Sequence, residues 1–187
     1  MSDIVLKNVS KSFNGRSVLE NFSHTFKAGT RCCIMGPSGC GKSTLLKLIA
    51  GIIKPDAGII RSCAHLAYVF QEDRLIEHMT ALENCALPLR HKTGAAEALA
   101  ELGLKDSLDI QASKLSGGMA RRVVIARALL FDSEAVLLDE PFKGLDEATK
   151  EIAVEFILKR LNGRTLICVT HSEEETKALK SEILRLT

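Results

Sequence analysis

The chain has 187 residues, 46% of them hydrophobic and 26% charged, with a net charge of +2. This is the balance of one globular domain, which excludes a disordered chain and gives no argument for a nucleic-acid or anionic-membrane partner. No apolar run approaches the roughly 18 residues of a spanning helix, and the start, MSDIVLKNVSK, lacks the apolar core of a signal peptide, so a cytosolic protein is expected.

In chain order, IVLKNVSKSF and SVLENFSHTF alternate apolar and polar residues and read as half-exposed strands. RCCIMG reads as a buried strand, and STLLKLIAGI spaces Leu45, Leu46, Leu48 and Ile49 for a buried helix. HLAYVF is a further strand. ALENCALPL and GAAEALAELGL are short helices, broken at Pro88 and Gly94, and VVIARALLF continues a helix that begins at Gly117. EAVLLD is a buried strand. DEATKEIAVEFILKRL is an amphipathic helix with Asp146 as its cap and Ala153, Phe156 and Ile157 on its apolar face. TLICVT and EILRLT are closing strands. Strands alternating with helices predict an α/β fold: a parallel sheet core covered on both faces, an antiparallel β side sheet from the opening strands, and a small helical lobe over about 76–130, all within a single domain, 1–187.

The six cysteines, Cys32, Cys33, Cys40, Cys63, Cys85 and Cys168, form no CxxC pair and no zinc spacing. Cys32, Cys33 and Cys168 lie in strand-like runs and are expected as small core hydrophobes. Cys40 stands apart, inside a glycine-rich loop.

That loop, GPSGCGKS from Gly36 to Ser43, matches the phosphate-binding P-loop pattern between a strand and a helix. Across Gly36, Pro37, Ser38, Gly39, Cys40 and Gly41 the backbone can curl so that successive N–H groups face phosphate oxygens. Lys42 then reaches the β- and γ-phosphates, and the Ser43 hydroxyl is placed for Mg²⁺, with Thr44 as a further donor. Cys40 would sit against the nucleotide. AVLLDE carries Asp139 to the C-terminal end of a strand, where open α/β sheets bind ligands, and there it would hold Mg²⁺ through water. Glu140 beside it can orient or deprotonate an attacking water. A nucleoside kinase would use an acidic residue near its acceptor hydroxyl, so Glu140 alone leaves hydrolysis and kinase chemistry both open.

SKLSGGMARR raises a separate question, since glycine costs about 1 kcal/mol against alanine in a helix interior. Ser116 is a good N-cap, and Gly117 with Gly118 leaves the first helical N–H groups uncovered, which suits an anion such as phosphate. Arg121 and Arg122 read as a solvated helix face or dimer-surface charges.

GPSGCGKST, Gln71 after a strand, LSGGMARR, AVLLDEP, Gly144-Leu145-Asp146 and His171 after TLICVT occur in that order. This order resembles the nucleotide-binding subunit of ATP-binding cassette (ABC) transporters over essentially the whole chain. The resemblance implies a P-loop ATPase fold, ATP and Mg²⁺ as cofactors, and two cassettes paired head to tail, as a homodimer or with a homologous ATPase. Ser116, Gly117 and Gly118 of one cassette would then meet the γ-phosphate held by the other. It implies that Gln71 senses Mg²⁺ and the attacking water and links to the membrane partner. His171 would contact the γ-phosphate, Asp146 would signal across the dimer, and Phe13 would stack on adenine. By its sequence context alone, Phe13 reads equally as a strand-core residue and His171 as a surface residue at a strand end.

This sequence departs from the family pattern in Met119 after LSGG, in Lys143 and Gly144 before Leu145, and in only 20 positions between Gly51 and Gln71, which is expected to trim the side sheet. The implied function is an ATPase driving a separate integral-membrane permease from the cytoplasmic face. The arrangement is similar to bacterial importers, with an extracytoplasmic substrate-binding protein as a further partner and no nucleic acid. The alternatives are a soluble ABC-type ATPase acting on nucleic acid or ribosomes, and a small P-loop kinase.

Overall fold

Alternation at the start of the chain produces two long antiparallel strands, β1 (Ile4–Phe13) and β2 (Arg16–Phe26). Their inward residues, Ile4, Leu6, Val9, Leu19 and Phe26, are buried. The computed structural model describes residues 2–89 and 93–187. In it the apolar run after β2 forms β3 (Arg31–Met35), followed by α1 (Lys42–Ile49). The interval expected to be trimmed still adds a third strand to the side sheet, β4 (Ala57–Arg61), which pairs antiparallel with β1 to give the order β2-β1-β4. Gly58 is required there: its φ is +89° and a Cβ would fall 2.4 Å from the Asn8 carbonyl oxygen.

The main sheet has the order β5-β6-β7-β3-β8, with β5 (Leu66–Val69), β6 (Ala135–Asp139), β7 (Thr165–Val169) and β8 (Glu182–Arg185). β3 is parallel to both β7 and β8, and β6 is parallel to β7. All five residues of β6 and of β7 are buried, as fits strands covered on both faces. Residues from the side sheet, from α1 (Leu45, Leu46, Leu48, Ile49) and from the main sheet (Ile34, Leu137, Ile167, Val169) form one apolar cluster. A short helix missed in the sequence, α6 (Glu173–Ala178), lies between β7 and β8.

These elements make one of two compact units, comprising Met1–Tyr68, Ser133–Asp139 and Gly163–Thr187. The other comprises Val69–Asp132 and Glu140–Asn162, so the helical part starts earlier than the 76–130 read from the sequence and takes in a later segment. It contains α2 (Ala81–Ala86), α3 (Thr93–Glu101), α4 (Gly117–Leu130) and α5 (Glu147–Leu161). Gly94 does not break a helix but lies in the first turn of α3. α4 packs against α2, α3 and α5, and its run of buried residues from Val123 to Ala126 marks a helix enclosed on several sides. α2 opens with a capping box between Thr80 and Glu83, and α5 opens on Asp146 as expected.

Candidate functional site

Because β3, β6 and β7 run parallel, their carboxyl ends share one edge of the sheet. β3 delivers the glycine-rich loop there, β6 delivers Asp139, and β7 delivers Thr170 and His171. Gly41, with φ +99°, closes the loop as the N-cap of α1, and a Cβ on it would lie 2.8 Å from Val18 Cγ1. It supplies no side-chain cap, and the first turn of α1 holds no acidic residue, so the start of this helix keeps its positive character. Lys42 is only 6% exposed. Its ammonium folds back over the loop, donating to the carbonyl oxygens of Gly36 (2.9 Å) and Pro37 (2.7 Å). A buried cation held by two neutral carbonyls is poised to exchange them for anionic oxygens.

Ser43 Oγ donates to Asp139 Oδ1 at 3.0 Å, across 96 positions of sequence. Asp139 is buried, and its other oxygen accepts from the Tyr68 hydroxyl at 3.4 Å. Tyr68 was read only as a strand residue; its hydroxyl faces Asp139 because β5 and β6 are neighbours, a pairing its local sequence does not encode. Beyond β7, Thr170 is buried, its hydroxyl donating to Glu175 and accepting from the Ser172 amide (3.1 Å). Ser172 in turn caps α6. This anchored turn presents His171 at the surface. Phe13, at the end of β1, is 46% exposed and so is not a core residue. Lys11 Nζ lies 5.3 Å from its ring centroid and pairs with Asp56 at 2.6 Å.

The remaining candidates belong to the helical unit. Gln71 Nε2 donates to Glu140 Oε2 at 3.4 Å, and Lys143 Nζ is 3.8 Å from the same oxygen. Glu140 has φ +48°, a left-handed conformation that costs a non-glycine residue roughly 1–2 kcal/mol. Such strain persists where the surroundings hold it, here with Gln71 and Lys143 beside the carboxylate. Ser116 caps α4 by accepting from the Met119 amide (3.3 Å), and the first turn contains no acidic residue. A Cβ on Gly117 would meet nothing within 4 Å, while one on Gly118 would touch Leu145 Cδ2 at 3.4 Å. Asp146 accepts from the Thr149 amide (2.9 Å) and hydroxyl (3.1 Å), and these bonds hold its carboxyl below the usual carboxylate range.

A further sequence expectation fails. Arg121 is not on a solvated face: it is 4% exposed, with its guanidinium bonded to the carbonyls of Phe70 and Gln71. Arg122 is also engaged, donating to the carbonyls of Gly118 (3.1 Å) and Leu102 (2.8 Å).

Among the described residues, no group of three or more His, Cys, Asp or Glu side chains could hold a metal ion by itself. A serine hydroxyl on a carboxylate does fit Mg²⁺, which takes few protein oxygens and completes its shell with water and phosphate. Cys40, between the loop glycines, is half-buried, and the other five cysteines are buried.

Strand, glycine loop and helix from Arg31 to Ile49, joined through Ser43 to a strand-end aspartate, place the molecule among the P-loop nucleoside triphosphatases. Sequence and structure comparisons narrow this class. The profile of the ABC transporter family matches residues 19–143. The aliphatic sulfonates import ATP-binding protein of Rhodococcus jostii is 38% identical over 97% of this chain and 78% of its own length. The taurine import ATP-binding protein of Jannaschia sp. is 35% identical over 98% and 77%. A dimeric ATP-binding cassette in a post-hydrolysis state, bound to ADP and Pi, superposes with a TM-score of 0.89 at 32% identity, over 98% of this chain and 94% of that one. The chain belongs to the ABC transporter family, as one of its ATPase cassettes.

Proposed function

We propose that this chain is the ATP-hydrolysing subunit of a bacterial import system and works on a separate membrane permease. The bond from Ser43 to Asp139 carries the catalytic half of this reading, because it ties the P-loop to the strand-end carboxylate. ATP binds with its phosphates against the loop amides from Gly36 to Thr44, and Lys42 turns from the Gly36 and Pro37 carbonyls to the β- and γ-phosphates. Phe13 stacks on the adenine. Ser43, Asp139 and Gln71 would hold Mg²⁺, which when bound neutralises charge on the transferred phosphoryl group. Glu140 accepts a proton from the attacking water and orients it, with Gln71 fixing the carboxylate. His171 contacts the γ-phosphate.

The signature helix completes a second site. Ser116, Gly117 and Gly118 offer a helix start whose first turn lacks acidic residues, and a paired cassette supplies the ATP that fills it. That cassette is a second copy or a homologous chain, and Asp146 lies at the junction. The dimeric state of the superposed cassette supports this pairing. Among the described residues, no helix is long and apolar enough to cross a membrane. The import relatives, named as ATP-binding proteins, support a cassette that sits on the cytoplasmic face of a separate permease. An extracytoplasmic binding protein would be a further partner. The names of the import relatives support uptake. Their cargoes, sulfonates and taurine, are the first to assay.

Two experiments test the reading. Glu140→Gln is expected to abolish turnover while retaining ATP and accumulating an ATP-bound dimer; turnover near the wild-type rate would remove Glu140 from the chemistry. Mild-detergent purification from native membranes is expected to bring down a polytopic membrane protein in stoichiometric amount, and co-purification with ribosomes or nucleic acid alone would overturn the transport assignment.

A further inference from the structure

The segment that follows β5 is held to α4 by two arginines. Arg121 donates through Nη1 to the Phe70 carbonyl (2.8 Å) and through Nη2 to the Gln71 carbonyl, and its Nε lies 3.0 Å from Asp73 Oδ1. Arg127, six positions later and so about 9 Å further along the helix, donates to the Arg74 carbonyl at 2.6 Å. The Arg74 guanidinium packs 3.7 Å from the centroid of the Phe70 ring. Burial pushes the Asp73 carboxyl up, and the Arg121 charge opposes that shift. Bonds to the two consecutive carbonyls fix the two peptide planes, 70–71 and 71–72, that flank the Cα of Gln71, from which its side chain departs.

We propose that Arg121 is a positioning residue for Gln71, clamping residues 70–73 to the signature helix so that the Gln71 amide meets Glu140 in one place. This rests on the reading of Gln71 and Glu140 as parts of the hydrolytic site. Only a planar fork with separate donors can hold both carbonyls while keeping its charge beside the Asp73 carboxylate; a lysine offers one point charge and loses the plane. The clamp also makes the signature helix and the Gln71 segment one mechanical body, so a force on one is felt by the other without an intervening loop.

The test compares Arg121→Met, the milder Arg121→Gln, Gln71→Ala and the double variants, measuring kcat for ATP hydrolysis, ATP affinity and thermal stability. Arg121→Met is expected to lose about ten-fold or more in kcat with ATP affinity within about two-fold of wild type, and Arg121→Gln to fall between them. Adding Arg121→Met to Gln71→Ala is expected to cost less than about two-fold in kcat, because both remove the same contribution. A purely structural arginine would lower stability and let the two losses multiply, which would overturn the proposal. So would near-wild-type kcat in both Arg121 variants while Gln71→Ala is impaired. If Arg121→Met does not fold, the Arg121→Gln cycle with Gln71→Ala reads the same way. Wild-type turnover in Gln71→Ala alone would instead remove Gln71 from the site, and the positioning role with it.

Discussion

Gly117→Ala separates what a glycine does for the fold from what it does for the reaction. A methyl at Gly117 would meet nothing within 4 Å, so the substitution introduces no clash. Alanine restricts the unfolded chain and is the better helix former, which gives a gain of about 0.4–1 kcal/mol. For a domain of this size, 1 kcal/mol moves Tm by roughly 2–4 °C, so Gly117→Ala is expected to melt about 1–4 °C higher. The same methyl would fill the space over the bare helix start where a phosphate of the paired cassette is expected. ATP-dependent association, followed by light scattering in a Glu140→Gln background, should therefore weaken, and turnover of the single variant should fall by about ten-fold or more. Gly118→Ala makes ordinary contact with Leu145 and is expected to change stability less. A Gly117→Ala protein that is more stable and fully active would refute the assignment of this helix start to phosphate. A lower Tm would refute the packing argument.

Other outcomes follow from the same geometry. Iodoacetamide should react with Cys40 ahead of the five buried cysteines and block ATP binding; unchanged affinity after complete modification would place the thiol away from the nucleotide. Glu140→Gly relieves the left-handed backbone and should stabilise the fold by about 1 kcal/mol in urea unfolding while abolishing hydrolysis; a loss of stability would mean that the carboxylate contacts outweigh the strain. Lys159 first, and Arg160 with it, hold the Glu101 carboxyl below its usual range. A depressed carboxylate stabilises the fold above its unfolded pKa, and that contribution is lost as pH falls through the folded value. Glu101→Gln should accordingly be slightly less stable than wild type at pH 7, by under about 1 kcal/mol for so exposed a pair, with the gap closing in acid. A gap that persists at pH 3 would point to packing instead.

The strand–helix order and the P-loop were legible because each rests on local pattern: alternation in β1 and β2, a buried run in β3, and glycines at fixed spacing before Lys42. Asp146 as a cap was legible for the same reason. β4 was not, because AGIIR has no alternation of its own; it is a strand only through pairings such as Leu6 with Ile60. α6 is short and begins with three consecutive glutamates, so it lacks an apolar face to read. Arg121 looked like surface charge because the carbonyls that bury it lie some 50 positions earlier in the chain. Tyr68 was hidden likewise: its role depends on which strand lies beside its own.

The sheet order also governs the biogenesis of the protein. β3 lies between β7 and β8, so the strand that launches the P-loop has both its partners more than 130 positions downstream. On a translating ribosome, β3 would emerge with both edges open and stay so until residues beyond 165 were available. An unpaired apolar strand is a template for association with other chains. High sequence separation between partners also slows closure of the sheet. The side sheet, whose strands pair within the first 61 residues, can form early, and with α1 it belongs to the apolar cluster that takes in Ile34 of that strand. A chain arrested before β7 should therefore depend on chaperones for solubility, whereas the bond between Ser43 and Asp139, on which the proposed nucleotide site rests, cannot form before β6 arrives.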